Sequence, residues 1–242
     1  MPENSGGRNP IPILYEDQVC VVFNKPSGLL VIPSSQGKSI TTLTDIVNEQ
    51  YPKGRSGGAV EMGEFRLHPC HRLDRDTSGV ILYAKGKKNQ KIVMDLFNQR
   101  KVDKNYTAFV HGILAKRSGE IRGEIKDQYQ MKFAARSPGK PALTRYKVLD
   151  VQRNYSVVDV MPVTGRTNQI RIHFAQLKHP LVGEDKYAFR KDFDLKFKRT
   201  ALHARELRWY HPLTGKAVHV EAPLPDDMRR FLSTHGRESS HL

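Results

Sequence analysis

Apolar positions along this chain fall mainly in short β-branched runs, interrupted by a few stretches with helical spacing. Ile13 to Tyr15, Val19 to Phe23 and Leu29 to Ile32 are such runs. The last two are separated by Asn24-Lys25-Pro26-Ser27-Gly28, a turn signal, so a strand meander is predicted at the start. From Ile40 to Tyr51 the spacing of Ile40, Leu43, Ile46 and Val47 follows one helical face, and Pro52, Gly54, Gly57 and Gly58 then open a long loop. Val80 to Ala84 reads as a buried strand. Asn89 is the expected N-cap of a helix with the apolar face Ile92, Val93, Leu96 and Phe97, ending near Arg100. Tyr106 to Val110 returns to strand. After Gly119, β-like runs alternate with turns, notably Ala142 to Val151 and Ser156 to Val163. Thr167 is expected to cap a helix from Asn168 to Leu177 with an inward stripe of Ile170, Phe174 and Leu177, and strands follow at Ala201 to Trp209 and Ala217 to Glu221.

Strands outnumber helices and do not alternate strictly with them. The expected class is therefore α+β, with a mixed, mostly antiparallel twisted central sheet flanked by helices and loops, rather than a doubly wound parallel sheet. Residues 11–235 are expected to form one domain between polar ends, 1–10 and 236–242, that fray. No internal repeat, low-complexity tract or composition break places a linker mid-chain.

Composition narrows the partner. The 242 residues carry 40 Lys and Arg against 25 Asp and Glu, a formal charge of +15, which favours a polyanion such as nucleic acid over a generally soluble basic protein only when joined to other signals. The start, MPENSGGRNP, lacks the basic and apolar regions of a secretory signal, and no apolar run reaches membrane-spanning length. Cys20 and Cys70 show no paired spacing, in keeping with a reducing compartment. A cytoplasmic protein that does not engage membranes is expected.

Two segments concentrate chemistry. His71-Arg72-Leu73-Asp74-Arg75-Asp76-Thr77-Ser78-Gly79 sets two carboxylates, two guanidiniums and a histidine in a turn that feeds an apolar strand. An oriented carboxylate there could be a nucleophile, a general base or a metal ligand, or Asp76 could cap its own backbone while Asp74 pairs with Arg75. In Pro162 to His173 a Thr164-Gly165 turn enters a helix, bringing free N–H groups, Arg166 and Arg171 to one helix N-terminus. That suits a phosphate, or an aspartate held by Arg171 in a bidentate pair that keeps it ionised; it also suits a plain cap with two solvated arginines. His68-Pro69-Cys70-His71 matches no common zinc spacing, and no metal is expected.

Taken together, these segments resemble a known family. HRLDRDTSGVILYAK is similar to the signature of the RluA-type pseudouridine synthases, with Asp74 at the position of their catalytic aspartate. Lys25-Pro26-Ser27-Gly28-Leu29 resembles their early Lys-Pro-x-Gly turn, and Lys104-Asn105-Tyr106-Thr107-Ala108 resembles the segment bearing their active-site tyrosine. TGRTNQIRIH, His179-Pro180-Leu181-Val182-Gly183 and Leu202-His203-Ala204 resemble the later blocks, in order, so the likeness runs from about Ile13 to Phe231. Two positions depart from the pattern. Asn168 stands where the family usually shows histidine, and Lys178 where it usually shows glycine, which would strain a left-handed helix end.

The resemblance implies isomerisation of uridine in structured tRNA or rRNA, without cofactor, by a catalytic domain lacking the N-terminal RNA-binding module of some members. It implies Asp74, Tyr106 and Arg171 as catalytic residues. His71, Arg72, Arg75 and Arg166 are expected to bind RNA, with Arg72 entering the space left by a flipped base. Tyr106 would hold the detached uracil. Whether Asp74 attacks the ribose, adds to the ring or takes a sugar proton stays open. An N-glycosidase or a non-catalytic RNA-binding or ribosome-assembly factor are the alternatives, and a monomer is expected.

Overall fold

The β-branched runs pair into one sheet. The structure, a computed structural model, describes residues 9–33, 40–51, 65–126, 138–188 and 193–236. The loop expected at Pro52 to Gly58, most of the N-terminal residues expected to fray and all but Gly236 of the C-terminal ones lie outside them. The strands are β1 (Ile13–Glu16), β2 (Cys20–Lys25), β3 (Leu67–Pro69), β4 (Ser78–Lys85), β5 (Val102–His111), β6 (Ser118–Ile125), β7 (Lys140–Val151), β8 (Tyr155–Pro162), β9 (Leu202–Tyr210) and β10 (Ala217–Glu221). The helices are α1 (Leu43–Gln50), α2 (Gly86–Asn98), α3 (Gln169–Gln176) and α4 (Asp226–His235). Among the described residues the sheet order is β1-β2-β4-β9-β5-β8-β7-β6, with β3 on β4 and β10 on β9. Every pairing is antiparallel except β4 with β9, so the sheet is mixed and mostly antiparallel as expected.

Burial follows each strand's place. All eight residues of β4 are buried, as befits a strand covered on both faces, whereas β6 and β7 at the far end alternate buried and exposed positions. One core cluster joins Val21, Phe23, Ile81 and Tyr83 to Leu43 and Val47 of α1 and Val93 of α2. A second joins Val110, Val158 and Val160 to Ile170 and Phe174 of α3, and a third packs Met228 and Phe231 of α4 on Phe109 and Tyr155.

Several local expectations are corrected. Leu29 to Ile32 is not a strand: the carbonyls of Leu30 and Val31 accept the N–H groups of Leu43 and Thr44, so this segment serves the start of α1. Ile40 lies outside α1 and is exposed, because Thr42 caps that helix in a reciprocal box with Asp45. Asn89 sits inside α2, its amide donating to the Lys85 carbonyl, and Lys85 is the N-cap. Thr167 does not cap α3; Asn168 does, with φ +55°. Leu177 lies just past the helix end and is partly exposed. Lys178 takes the left-handed conformation, φ +64°, so the helix ends as a glycine would end it.

Candidate active site

The turn that carries Asp74 is tied down from beneath by two buried cations. Lys25, at the end of β2 and fully buried, donates through Nζ to the carbonyls of Pro26 (3.0 Å), Arg75 (3.0 Å) and Thr77 (2.7 Å). Burial pushes its pKa down to about 7, against the pull of Asp76 and Asp74. Arg199 donates to the Asp76 carbonyl (3.0 Å) and to Ser78 Oγ (3.3 Å) while forking onto Asp227. Thr77 N–H closes the turn on the Asp74 carbonyl at 3.2 Å. The chain then enters β4 through Gly79, φ +112°, where a Cβ would lie 2.0 Å from the Ala204 carbonyl oxygen. Only glycine permits this approach of β4 to β9.

Asp74 faces a cleft of about 1030 Å³. Its walls are the start of β5, the end of β8, the turn into α3 and side chains of β9 between Leu202 and Arg208. Burial raises the Asp74 pKa above the usual carboxylate range, and Arg171, Arg72, Lys25 and Lys186 oppose the rise in that order. The direction corrects the expectation that a paired arginine would depress it. Direct contacts come from Asn168. Its Nδ2 donates to Asp74 Oδ1 (3.2 Å) and Oδ2 (2.8 Å), and its Oδ1 accepts from the Tyr187 hydroxyl at 2.8 Å. The reversed amide would set an oxygen against the carboxylate, leaving two acceptors face to face.

Arg171 is not paired with Asp74, which corrects the second half of that expectation. Its Nε and Nη2 fork onto Glu184 Oε2 and Oε1, both at 2.7 Å, and Nη2 reaches Asp185 at 3.5 Å. The reason is Glu184 itself: its side chain is 1% exposed, and a carboxylate buried to that degree requires a bidentate cation. Arg171 therefore reaches Asp74 through its field alone.

Tyr106 lines the cleft from an irregularity in the β5–β9 register between Asn105 and Tyr106, a device that re-aims a side chain. Burial and the nearby Asp74 charge push its phenol far up, so it stays protonated. His71 also lines the wall, but its Nε2 accepts from the Leu82 N–H (3.0 Å) and its ring stacks on Phe97. Burial holds its pKa down to about 3, so it is a neutral wall residue and supplies no cation. Arg72 and Arg166 line the cleft. Arg75 does not; its Nε donates to the Gly28 carbonyl at 3.2 Å, on the other side of the turn.

A family of sequences described as RNA pseudouridylate synthase matches residues 19–176. The chain belongs to this family. Ribosomal large subunit pseudouridine synthase D of Haemophilus influenzae is 37% identical over an alignment 237 residues long that covers 93% of this chain and 70% of the relative. An RNA pseudouridine synthase of Bacillus subtilis is 34% identical, covering 92% of this chain and 72% of the relative. The solved structure of human RNA pseudouridylate synthase domain containing 4 aligns with a TM-score of 0.70 at 25% identity, covering 91% of each chain. That of domain containing 1 aligns at 0.68 and 26% identity, covering 92% of this chain and 86% of the other.

In this synthase the cleft holds residues that the sequence reading missed. Lys104, Arg100, Arg145, Arg205 and Arg208 also line it, scattered over β5, β7, β9 and the end of α2, so no spacing joins them in the sequence. Glu184 and Tyr187 lie beyond the motif that drew notice and touch it through Arg171 and Asn168. Glu206, His219 and Glu221 approach one another at metal-ligand spacing, but Glu206 is engaged by Arg205 and Arg208 and accepts from His219 at 3.1 Å. Such a grouping is an ion-pair network.

Proposed function

We propose that this synthase isomerises uridines of structured RNA, ribosomal RNA of the large subunit first among them, with Asp74 as the catalytic carboxylate. The observation that carries it is Asp74 itself: a desolvated carboxylate on the floor of an arginine-lined cleft, held by an amide and faced by Arg171, Arg72, Lys25 and Lys186. The names of its large-subunit relatives support the choice of RNA and a cytoplasmic place of work.

A uridine within a folded RNA must leave its stack to reach such a floor, at roughly a few kcal/mol. Arg72, exposed at the mouth beside Asp74, is suited to fill the space it leaves. Tyr106 offers its ring face to the uracil and a neutral hydroxyl, which can pass a proton without ionising. The bond from ribose carbon 1 to base nitrogen 1 breaks and one to carbon 5 forms, while the carbon 5 proton leaves and nitrogen 1 gains one. The atoms balance with no redox partner.

Asp74→Asn is expected to bind RNA and lose roughly 10⁴-fold or more in turnover. Near-normal pseudouridine formation by the purified variant on unmodified ribosomal RNA would sink the assignment. Free uracil as the wild-type product would indicate a glycosidase instead.

A further inference from the structure

We propose that Asn168, its amide oxygen held by the Tyr187 hydroxyl, is the positioning residue that aims Asp74, and that Glu184 anchors the segment from which Tyr187 acts. The inference rests on the reading of Asp74 as the catalytic carboxylate.

The backbone gives the first argument. An N-cap asparagine ordinarily turns its side chain onto the N–H groups of the first helical turn, worth about 1 kcal/mol. Asn168 caps α3 yet makes no such bond, and it sits at φ +55°, a region that asparagine and histidine enter more readily than most residues. Its side chain goes to Asp74 instead, donating to both carboxylate oxygens. One amide nitrogen that bridges both oxygens restrains the plane of the carboxylate, which the Arg171 guanidinium, committed to Glu184, does not.

An amide could turn over and lose this contact. The Asp74 carboxylate opposes this, because both its oxygens accept and so draw the NH2 group toward it, and the Tyr187 hydroxyl, which can donate or accept, gives its proton to the Asn168 oxygen at 2.8 Å. Burial raises the Tyr187 pKa, so the phenol keeps that proton at neutral pH. The ring is placed in turn by Glu184, whose Oε1 accepts the N–H groups of Lys186 (2.9 Å) and Tyr187 (3.2 Å) while its carboxylate holds Arg171. The Arg171 guanidinium lies 5.4 Å from the Tyr187 ring centroid. A chain of contacts thus runs from Glu184 through Tyr187 and Asn168 to Asp74. The other groups facing Asp74 are Arg171 from α3, Arg72 from its own turn, Lys25 from β2, Lys186 from the segment after Glu184 and Tyr106 from β5.

The test compares Asn168→Gly, Asn168→His and Tyr187→Phe with wild type and Asp74→Asn. It follows release of tritium from carbon 5 of labelled, unmodified ribosomal RNA as a function of pH. Asn168→Gly keeps the left-handed backbone and deletes the donor. It is expected to lose on the order of 10²-fold in kcat with KM unchanged, as small misplacements of a catalytic group do. Its acid limb should move to higher pH, because a lost donor to the carboxylate raises the carboxyl pKa. Tyr187→Phe should shift both in the same direction by less. Asn168→His, which restores an N–H donor, should recover most of kcat. Wild-type kcat and acid limb in both Asn168→Gly and Tyr187→Phe, or losses confined to KM, would overturn the inference. Should Asn168→Gly fail to fold, Tyr187→Phe decides alone. An active Asp74→Asn would instead bring down the reading beneath it, so the two failures are distinct.

Discussion

At Asp74 burial favours the neutral acid while Arg171, Arg72, Lys25 and Lys186 favour the anion, and burial prevails. A carboxyl whose folded pKa is raised gives stability below its unfolded pKa and loses it as pH rises through the folded value. Ionised Asp74 therefore weighs against the fold at neutral pH. Asp74→Asn should unfold at higher urea than wild type at neutral pH, with the difference closing in acid; a variant less stable than wild type at neutral pH would contradict the direction of the shift. Glu184 has the opposite sign. Burial alone would raise it, but the Arg171 fork and the N–H groups of Lys186 and Tyr187 more than offset that, and its pKa is lowered. Its contribution is present above the unfolded pKa and is lost as pH falls through the folded one. Glu184→Gln takes the bidentate anion from Arg171, whose side chain is 12% exposed, and leaves it only the 3.5 Å reach to Asp185. A loss of about 3 kcal/mol at neutral pH is expected from urea unfolding, shrinking toward acid.

At the scale of elements, what the sequence showed and what it hid divide along local and distant causes. The strands from Val80, Tyr106, Ala142, Ser156, Ala201 and Ala217 stand where their apolar runs lie, because a β-branched run, continuous where both faces are covered and alternating where one is, is written in neighbouring residues. Helix caps were misread where a distant partner claimed the side chain. Asn168 belongs to Asp74 and Tyr187, and Leu29 to Ile32 gives its carbonyls to α1. The same holds in the site. Asp74, Arg72 and Arg166 were legible from dense motifs, Tyr106 only from the family resemblance, and all four do share the cleft, whereas the Arg171–Glu184 fork depends on which acid is buried within reach, and no spacing encodes that. The single parallel pairing, Ser78 to His203 and Gly79 to Ala204, was equally invisible. It sets the turn of Asp74 against β9, and Gly79→Ala tests it. A Cβ 2.0 Å from a backbone oxygen, added to a left-handed φ, should cost on the order of 3–5 kcal/mol. Thermal unfolding would read this, and a variant of wild-type stability would refute the close approach.

For the whole molecule, the excess charge of 40 − 25 = +15 matters through where it lies and how much of it is already neutralised. Of the cations lining the cleft, Arg145 is held by Glu120, Arg171 by Glu184, Arg205 by Asp159 and Arg208 by Glu206. Arg72, Arg100, Lys104 and Arg166 line the same cleft and make no ion pair among the described residues. Burial lowers the Lys104 pKa with no acid to oppose it, so a phosphate oxygen would restore what the fold withholds. If Arg100, Lys104 and Arg166 each neutralise one phosphate while Arg72 fills the place of the flipped base, RNA affinity should fall with salt at a log–log slope on the order of −2 to −3. Changing both Arg100 and Arg166 to Gln should flatten that slope by about 1–2 and weaken binding across RNA sequences alike, since a phosphate carries no base identity. Asp74→Asn should leave the slope as it is, because a carboxylate on the floor meets the flipped nucleoside and not the backbone. Filter binding of labelled ribosomal RNA across a salt series measures all three, and a double variant with the wild-type slope would place the RNA backbone outside this cleft.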